Sequence, residues 1–304
     1  MALTTVWKLD RLVFPATSFS VITSARWQAN IQQMVERPAG HPHPMFAANQ
    51  SQKPALEFST TELDVLLAAI NFGGASFGTI DSFFKKAAVT GSVARATAEH
   101  QRVRIAASCG YLTRIRLVHN GRSEGTAVLQ ANYDGTNDPF AYTGSVALAG
   151  NLSAGTYFGA GPVSINGTSL GGVQEISIDS GVRLIQAGGE SEEFDTFVGL
   201  EMTEPTVTIT FLQAINWATV GLRGTTLDGT NGLVFYGRKF SQGGSRVANA
   251  TAQHIKFTGL NGIATPVDSN GQQSSPITDT VRVQLTSVSD SVLPLTVNTA
   301  SAIS

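Results

Sequence analysis

The sequence predicts a mainly β protein of the β-sandwich or α+β type, made of two tandem copies of one domain. Only 14% of the 304 residues are charged and 31 are glycine, a composition that favours strands and turns over helical bundles or disordered chains. Short segments alternate apolar and polar residues, as half-buried strands do. The octet VARATAEH at Val93–His100 also returns as VANATAQH at Val247–His254.

The separation of the two octets, 154 positions, is shared by other similarities. Pro54 and Pro205 precede alternating stretches 151 positions apart, and Lys85-Lys86 matches Arg238-Lys239 at 153. Because this spacing is half the chain, we expect one domain at residues 1–150 and a second at 151–304. Their net charges are +3 and −5, which fits either attraction between neighbouring domains or drift after duplication.

Taken in order, each copy begins with strands. In the second copy Ile176 and Ile178 alternate with polar residues, Asp179-Ser180-Gly181 has turn chemistry, and a further strand follows, so Val173–Ile185 is predicted to be a hairpin.

A long connection follows in both copies, at Val35–Lys53 and Gln186–Glu204. Long loops that carry apolar residues are usually functional, so each is predicted to be an arm that packs on another subunit, or else a loop folded back on its own domain. The candidate contact residues are Met45, Phe46, Phe194, Phe197 and Met202.

The next unit is a strand and then a helix. Ala55–Phe58 and Thr206–Phe211 alternate as strands. Ser59 and Glu62 form an S-x-x-E capping box ahead of Leu63, Leu66, Leu67 and Ile70 at helical spacing. Leu212–Val220 is the matching helix in the second copy, although it could be a strand. Several strands then end each copy.

The residues that could carry chemistry are few. His100 and His254 recur in both copies without a nucleophile or acidic partner motif, which favours structural, hydrogen-bonded histidines over a general base. His41 and His43 lack a third metal ligand nearby in sequence. The pairs Arg102/Arg104 and Arg114/Arg116 would project from strand faces, to form intersubunit ion pairs, to solvate a face or to contact phosphate. The sequence therefore predicts no enzyme, no cofactor and no metal.

The order hairpin, long loop, strand and helix position at Gly172–Thr210, GVQEISIDSGVRLIQAGGESEEFDTFVGLEMTEPTVTIT, resembles the tail tube proteins of long-tailed bacteriophages. The resemblance implies a virion protein, made in the host cytoplasm, that forms stacked rings around a channel for double-stranded DNA. It also implies arms between rings, partners among other tail proteins and no membrane. Because family rings commonly hold six domains, two domains per chain predict a trimeric ring with pseudo-sixfold symmetry.

Two other classes stay open. One is another phage tail, hub, collar or decoration protein. The other is a β-sandwich binding module or hydrolase acting on carbohydrate, which a pocket with paired carboxylates or exposed aromatic platforms would favour.

Overall fold

The chain folds into antiparallel β-sheets with one short helix among the described residues, as the composition and alternation predict. The structure is a computed structural model, and it describes residues 5–88, 91–148, 150, 152, 154–189, 192–212, 220–221, 223–272 and 275–304.

The first half contains the helix and thirteen strands. In chain order they are β1 (Thr5–Val13), β2 (Ser18–Phe19), β3 (Ile22–Gln28), β4 (Ile31–Glu36), β5 (Phe46–Gln52), β6 (Ala55–Thr60), α1 (Leu63–Ala69), β7 (Ala75–Phe77), β8 (Ile80–Ala88), β9 (Gly91–Ser92), β10 (His100–Ile105), β11 (Ser108–Val118), β12 (Glu124–Ala131) and β13 (Phe140–Val146).

Twelve described strands follow in the second half. They are β14 (Tyr157–Ile165), β15 (Thr168–Leu170), β16 (Val173–Asp179), β17 (Arg183–Ala187), β18 (Phe197–Met202), β19 (Thr206–Phe211), β20 (Thr225–Thr226), β21 (Leu233–Phe240), β22 (His254–Gly259), β23 (Asn261–Gln272), β24 (Ser275–Thr286) and β25 (Thr296–Ser301).

Each half has an outer sheet of its own, and the two sheets have corresponding strand orders. The first outer sheet runs β2-β1-β8-β10-β13, with β9 added to β8, and the second runs β15-β14-β21-β22-β25. Registers correspond as well, because the pair Leu12↔Phe19 has its counterpart 151 positions later in Val163↔Leu170.

A central sheet of ten strands crosses from one half to the other. Its order is β20-β23-β24-β19-β16-β11-β12-β6-β3, with β7 also on β11. The halves join where β16 pairs with β11, from Arg114↔Asp179 to Val118↔Glu175. Among the described residues, β3 is an open edge, and at the far end β20 covers only Ile263 and Ala264 of β23.

The hydrophobic core lies between the central sheet and the outer sheets, and the alternation of the strands explains why. In β19 the side chains of Val207, Ile209 and Phe211 are buried, whereas the intervening threonines are only half-buried. Successive strand residues point to opposite faces, so one face of the sheet enters the core and the other is polar. The division into domains at 150/151 stays a prediction.

The helix begins where the sequence predicts, but its predicted capping box is wrong. Ser59 belongs to β6, and its hydroxyl hydrogen-bonds that of Thr126 on β12 at 2.8 Å. Glu62 occupies the cap position without capping the helix by its side chain. Its carboxylate instead accepts the backbone N–H groups of Ser20 and Val21, at 2.7 and 2.9 Å. The predicted second helix, Leu212–Val220, falls on residues 213–219 apart from its two end residues, and 213–219 lie outside the described residues.

The predicted hairpin at Val173–Ile185 is also wrong. Strand β16 pairs with β11 and β19, whereas β17 pairs with β18. The long connections are themselves β-hairpins, β4–β5 and β17–β18. Pairing satisfies the backbone groups of a projecting segment, which their Gly, Pro and charged residues did not indicate. We call residues 31–52 the first arm and residues 183–202 the second arm.

Candidate assembly surfaces

The two recurring histidines hold the same local structure in each half. His100 Nδ1 accepts the backbone N–H of Lys86 at 3.1 Å, and its Nε2 bonds the carbonyl of Ala94 at 3.0 Å. His254 makes the corresponding bonds to Lys239 and Ala248, also at 3.1 and 3.0 Å. Nδ1 is the acceptor, so each ring carries its proton on Nε2.

Both histidine rings are fully buried, and each ties the repeated octet to a strand of the outer sheet. A buried ring with both nitrogens bonded to backbone serves the fold. This placement agrees with the structural interpretation of the pair.

Three of the four predicted arginines form ion pairs within the chain. Arg104 binds Asp81 through two bonds of 2.7 and 2.8 Å, and Arg102 Nε lies 3.8 Å from the same carboxylate. The bond to Asp81 raises the pKa of Arg104. Arg116 binds Glu175 through two bonds of 2.7 Å, across the junction between the halves. The hydrogen bond from Arg116 lowers the pKa of Glu175. Arg114 is exposed and lies opposite Asp179.

The open edge at β3 presents unpaired backbone groups. On β16, its counterpart 151 positions later, the carbonyl of Gln174 accepts from His119, and Ser180 N–H donates to Thr113. By the two-residue alternation of a strand, Ile176 and Ile178 also face β11. Their counterparts Ala25 and Trp27 therefore direct N–H and C=O groups to the open edge.

The side chain of Trp27 points away from the strand edge and packs against the core. Its ring packs on Phe84 with centroids 5.0 Å apart. Its Nε1 is buried and has no hydrogen-bond partner in the part of the chain that the structure describes. Burying an indole N–H without a partner is unfavourable.

The polar face of the central sheet mixes charges of both signs. Four arginines and five acidic residues lie on it, interleaved with Thr and Ser: Arg26, Arg114, Arg116 and Arg282, with Glu57, Glu124, Glu175, Asp179 and Asp268. At least one arginine, Arg116, is neutralised by a carboxylate. The face is therefore nearly neutral.

The second arm packs on the first half. Its Glu193 carbonyl accepts from Gln52 N–H at 2.8 Å, and its Asp195 carbonyl accepts from Tyr133 N–H at 2.9 Å. The Asp195 carboxylate lies 3.0 Å from Lys53 Nζ. Cys109 Sγ donates to the carbonyl of Val198 at 3.3 Å, and Val198 is buried.

Most of the first arm is exposed, except at its base, where Gln52 is half-buried and its side-chain amide donates to the Glu193 carboxylate of the second arm. Of the predicted arm residues, Met45 is 67% exposed, Phe46 49% and Phe197 55%. Phe194 instead packs on Tyr133, with ring centroids 5.9 Å apart, and Met202 is half-buried. The structure thus brings one predicted residue into contact with the first half and leaves three exposed.

A cavity and two neighbouring histidines are the features of the described residues that bear on chemistry. A cavity of about 840 Å³ lies beside α1, and Asp64 is the one ionisable side chain among the described residues that line it. His41 and His43 are exposed in the first arm, with ring centroids 6.2 Å apart. Across the described ranges, no three His, Cys, Asp or Glu side chains are placed to share a metal ion. Nor does that part of the chain contain a helix able to cross a membrane.

Sequence reasoning missed the open edges and the surface of the first half on which the second arm packs. Ala25 and Trp27 had a signal, since they alternate with the polar residues Ser24, Arg26 and Gln28, but alternation identifies the buried face and not the free edge. Lys53 and Cys109 had none, because their partners lie far along the chain. Comparison of the sequence with protein-family models and with curated proteins gives no match.

Proposed function

We propose that this protein is a tail tube subunit of a long-tailed bacteriophage, in which three chains close a ring of six equivalent domains and the rings stack. The proposal joins the resemblance at Gly172–Thr210 to one observation, the way in which the central sheet continues from one half into the other. It includes the inference that the halves are copies of one domain, which the corresponding sheet orders support.

The junction of β16 and β11 supplies a pattern for the contact between chains. The counterpart of β16 is β3, and the counterpart of the β11 segment at Arg114–Val118 is residues 268–272 of β23. Both lie at open edges of the described sheet. If a neighbouring chain repeats the internal pairing, Ala25 and Trp27 of one chain lie against β23 of the next. Unlike edges then pair and the ring closes, which removes exposed edges.

The size of such a ring suits DNA. Eight strands of each central sheet, from β23 to β3, give a 24-strand barrel for three chains. With strands about 4.8 Å apart and tilted by about 40°, its diameter is roughly 45 Å. A DNA duplex passes through a barrel of this width.

The polar face of the central sheet is the surface proposed to line the channel, since the outer sheets cover the other face. Affinity for DNA comes from cations that neutralise phosphates. A nearly neutral face whose Arg116 is already paired to Glu175 gives little such affinity and lets DNA slide.

The arms are proposed to supply contacts between rings. Phe46 and Met34 lie on one face of the first arm, and Phe197 and Ile185 lie on the corresponding face of the second. All four side chains are exposed, by 39% to 55%. An apolar face that recurs at six positions around a ring is suited to burial against the next ring. Other tail proteins would bind the end rings.

The test uses the assembly state of the purified chain, measured by mass photometry with negative-stain imaging. We expect rings with three chains per layer that stack into tubes. Ala25→Pro removes an N–H from the open edge while sparing the bonds to β6, so it should give monomers. Ala25→Gly is the matched control, because it weakens strand propensity but keeps the N–H, and it should still assemble.

Three outcomes would count against the proposal. A wild-type chain that stays monomeric at all concentrations contradicts ring formation. Assembly by Ala25→Pro equal to that of Ala25→Gly contradicts edge pairing. Closed rings that never stack would indicate a hub or collar protein.

A further inference from the structure

We propose that the first arm of each chain packs on the second half of a neighbouring copy, in the manner in which the second arm packs on the first half of its own chain. The inference rests on the proposed ring. It adds which surfaces meet beside the paired edges and what chemistry makes the contact selective.

The contact between the second arm and the first half of the same chain, called the internal contact below, is the pattern for the proposed contact between chains. Val198 of the second arm is buried against Cys109, and Asp195 of the same arm pairs with Lys53. The arm follows β16 directly in sequence, so it lies over the half to which β16 is paired.

The second half exposes the surface that corresponds to the one covered by the second arm. We call this surface, around Ile263 and Glu204, the seat, and use the same word for its covered counterpart around Cys109 and Lys53. The counterpart of Cys109 is Ile263, which is 44% exposed, and the counterpart of Lys53 is the exposed Glu204. In the segment that follows β24, Val288 is 67% exposed. Apolar side chains are thus exposed at the place where the first half is covered by an arm.

The first arm carries matching side chains. Its register is that of the second arm shifted by 151 positions, since Glu36↔Phe46 corresponds to Ala187↔Phe197. Ala47 therefore occupies the place of Val198, with Val35 opposite it in the hairpin. Both are exposed. This face is opposite to the one that carries Phe46.

The charges at the two seats are reversed. In the internal contact the arm is acidic and the seat is Lys53. In the proposed contact the seat is Glu204 and the arm carries Arg37, in the place of Gly188, whose backbone adjoins Asp195. Opposite charges favour this arm on this seat. The acidic second arm would be repelled by Glu204, so the reversal also opposes exchange of the arms.

The seat has to belong to another copy. Strands β3 and β23 are separated by seven steps in the central sheet, about 34 Å. The first arm starts beside β3, and its longer strand of seven residues spans about 23 Å. Ile263 of the same chain is therefore out of reach, whereas a neighbour paired to β3 brings its own Ile263 alongside.

Cross-linking tests the contact. In a Cys109→Ser background, Ala47→Cys is combined with Ile263→Cys and treated with a short bismaleimide. We expect covalent dimers and trimers on a denaturing gel, and each single variant should stay a monomer. The matched control, Phe46→Cys with Ile263→Cys, places the thiol on the opposite face of the same strand and should cross-link at least tenfold less.

The outcomes separate this proposal from the ring itself. Rings seen by mass photometry without cross-linking by the Ala47→Cys pair would overturn the arm contact and leave the ring in place. Equal cross-linking by the Phe46→Cys control would also overturn it. A chain that forms no rings overturns both proposals.

A charge exchange gives a second test on the same seat. Glu204→Lys should weaken ring formation roughly threefold per contact, the scale of an exposed ion pair. Adding Arg37→Glu should restore it. Failure of the double variant to recover any assembly would contradict the pairing of these two residues.

Discussion

The two halves of the chain have outer sheets of the same strand order, but their arms differ in whether they pack on the rest of the chain. His100 and His254 make the same bonds at the same distances, and the outer sheets have the same order. The second arm nevertheless packs on the first half, whereas the first arm is exposed except at its base. The difference lies in the neighbouring strand and not in the hairpin, because β16, which precedes the second arm, is paired to β11 of the first half, whereas β3, which precedes the first arm, is an open edge among the described residues.

The largest expected effect concerns the two buried histidines, which make the same bonds in both halves. His100→Ala and His254→Ala should each lower the free energy of unfolding by about 2–4 kcal/mol, since each leaves a buried N–H and C=O without partners. The measurement is urea unfolding followed by tryptophan fluorescence in the Ala25→Pro background, which separates folding from assembly.

The half-buried His119 is the control for the histidine variants, and His119→Ala should change stability by less than about 0.5 kcal/mol. If either His100→Ala or His254→Ala left the free energy of unfolding unchanged, the two histidines would not stabilise their halves in the same way.

A smaller effect concerns the two arms, which differ in how they pack. Phe194→Ala removes the ring that packs on Tyr133 and should weaken docking of the second arm by about 1 kcal/mol. Hydrogen exchange in residues 183–202 should then be roughly fivefold faster. Phe46→Ala, in the exposed first arm, should leave exchange unchanged in the Ala25→Pro background. Equal responses of the two arms would contradict the difference between them.

The smallest effect lies at the junction of the halves. The pKa of Glu175 is lowered by its bond to Arg116, so the stability from this pair is fully present above the unfolded value near 4.5. It is lost as the pH falls through the lower, folded value. Both side chains are partly exposed, so we expect about 0.5 kcal/mol.

Glu175→Gln should remove this part of the acid dependence and little else. The measurement is unfolding at pH 7 and at pH 3, with Glu124→Gln as the control on the same face. A Glu175→Gln chain that loses as much stability on acidification as the wild type would contradict the role of the pair.

Much of the fold followed from local pattern. Alternation at Val207, Ile209 and Phe211 predicts a strand with one buried face, and the structure has it. The helix at Leu63–Ala69 follows from the helical spacing of its apolar residues.

The local pattern did not predict which strands pair with one another. Alternation specifies which face is buried but not which strand lies alongside, so β16 was assigned to a local hairpin when it pairs with β11 from the other half. Glu62 fits a capping box by spacing, yet the N–H groups of Ser20 and Val21, some forty positions away, bind it instead. Contacts at such separations are set by tertiary packing, which a single sequence does not display.

The pairing of β16 with β11 has a consequence for how readily rings would form. It lies within one chain, so half of the junctions in the proposed ring exist before any two molecules meet. Each association between free bodies costs about 4–15 kcal/mol in lost translation and rotation, and the covalent link spares that cost for every second junction by holding the halves at a high effective concentration. A fused pair of domains therefore reaches a closed ring at a lower subunit concentration than six separate domains would.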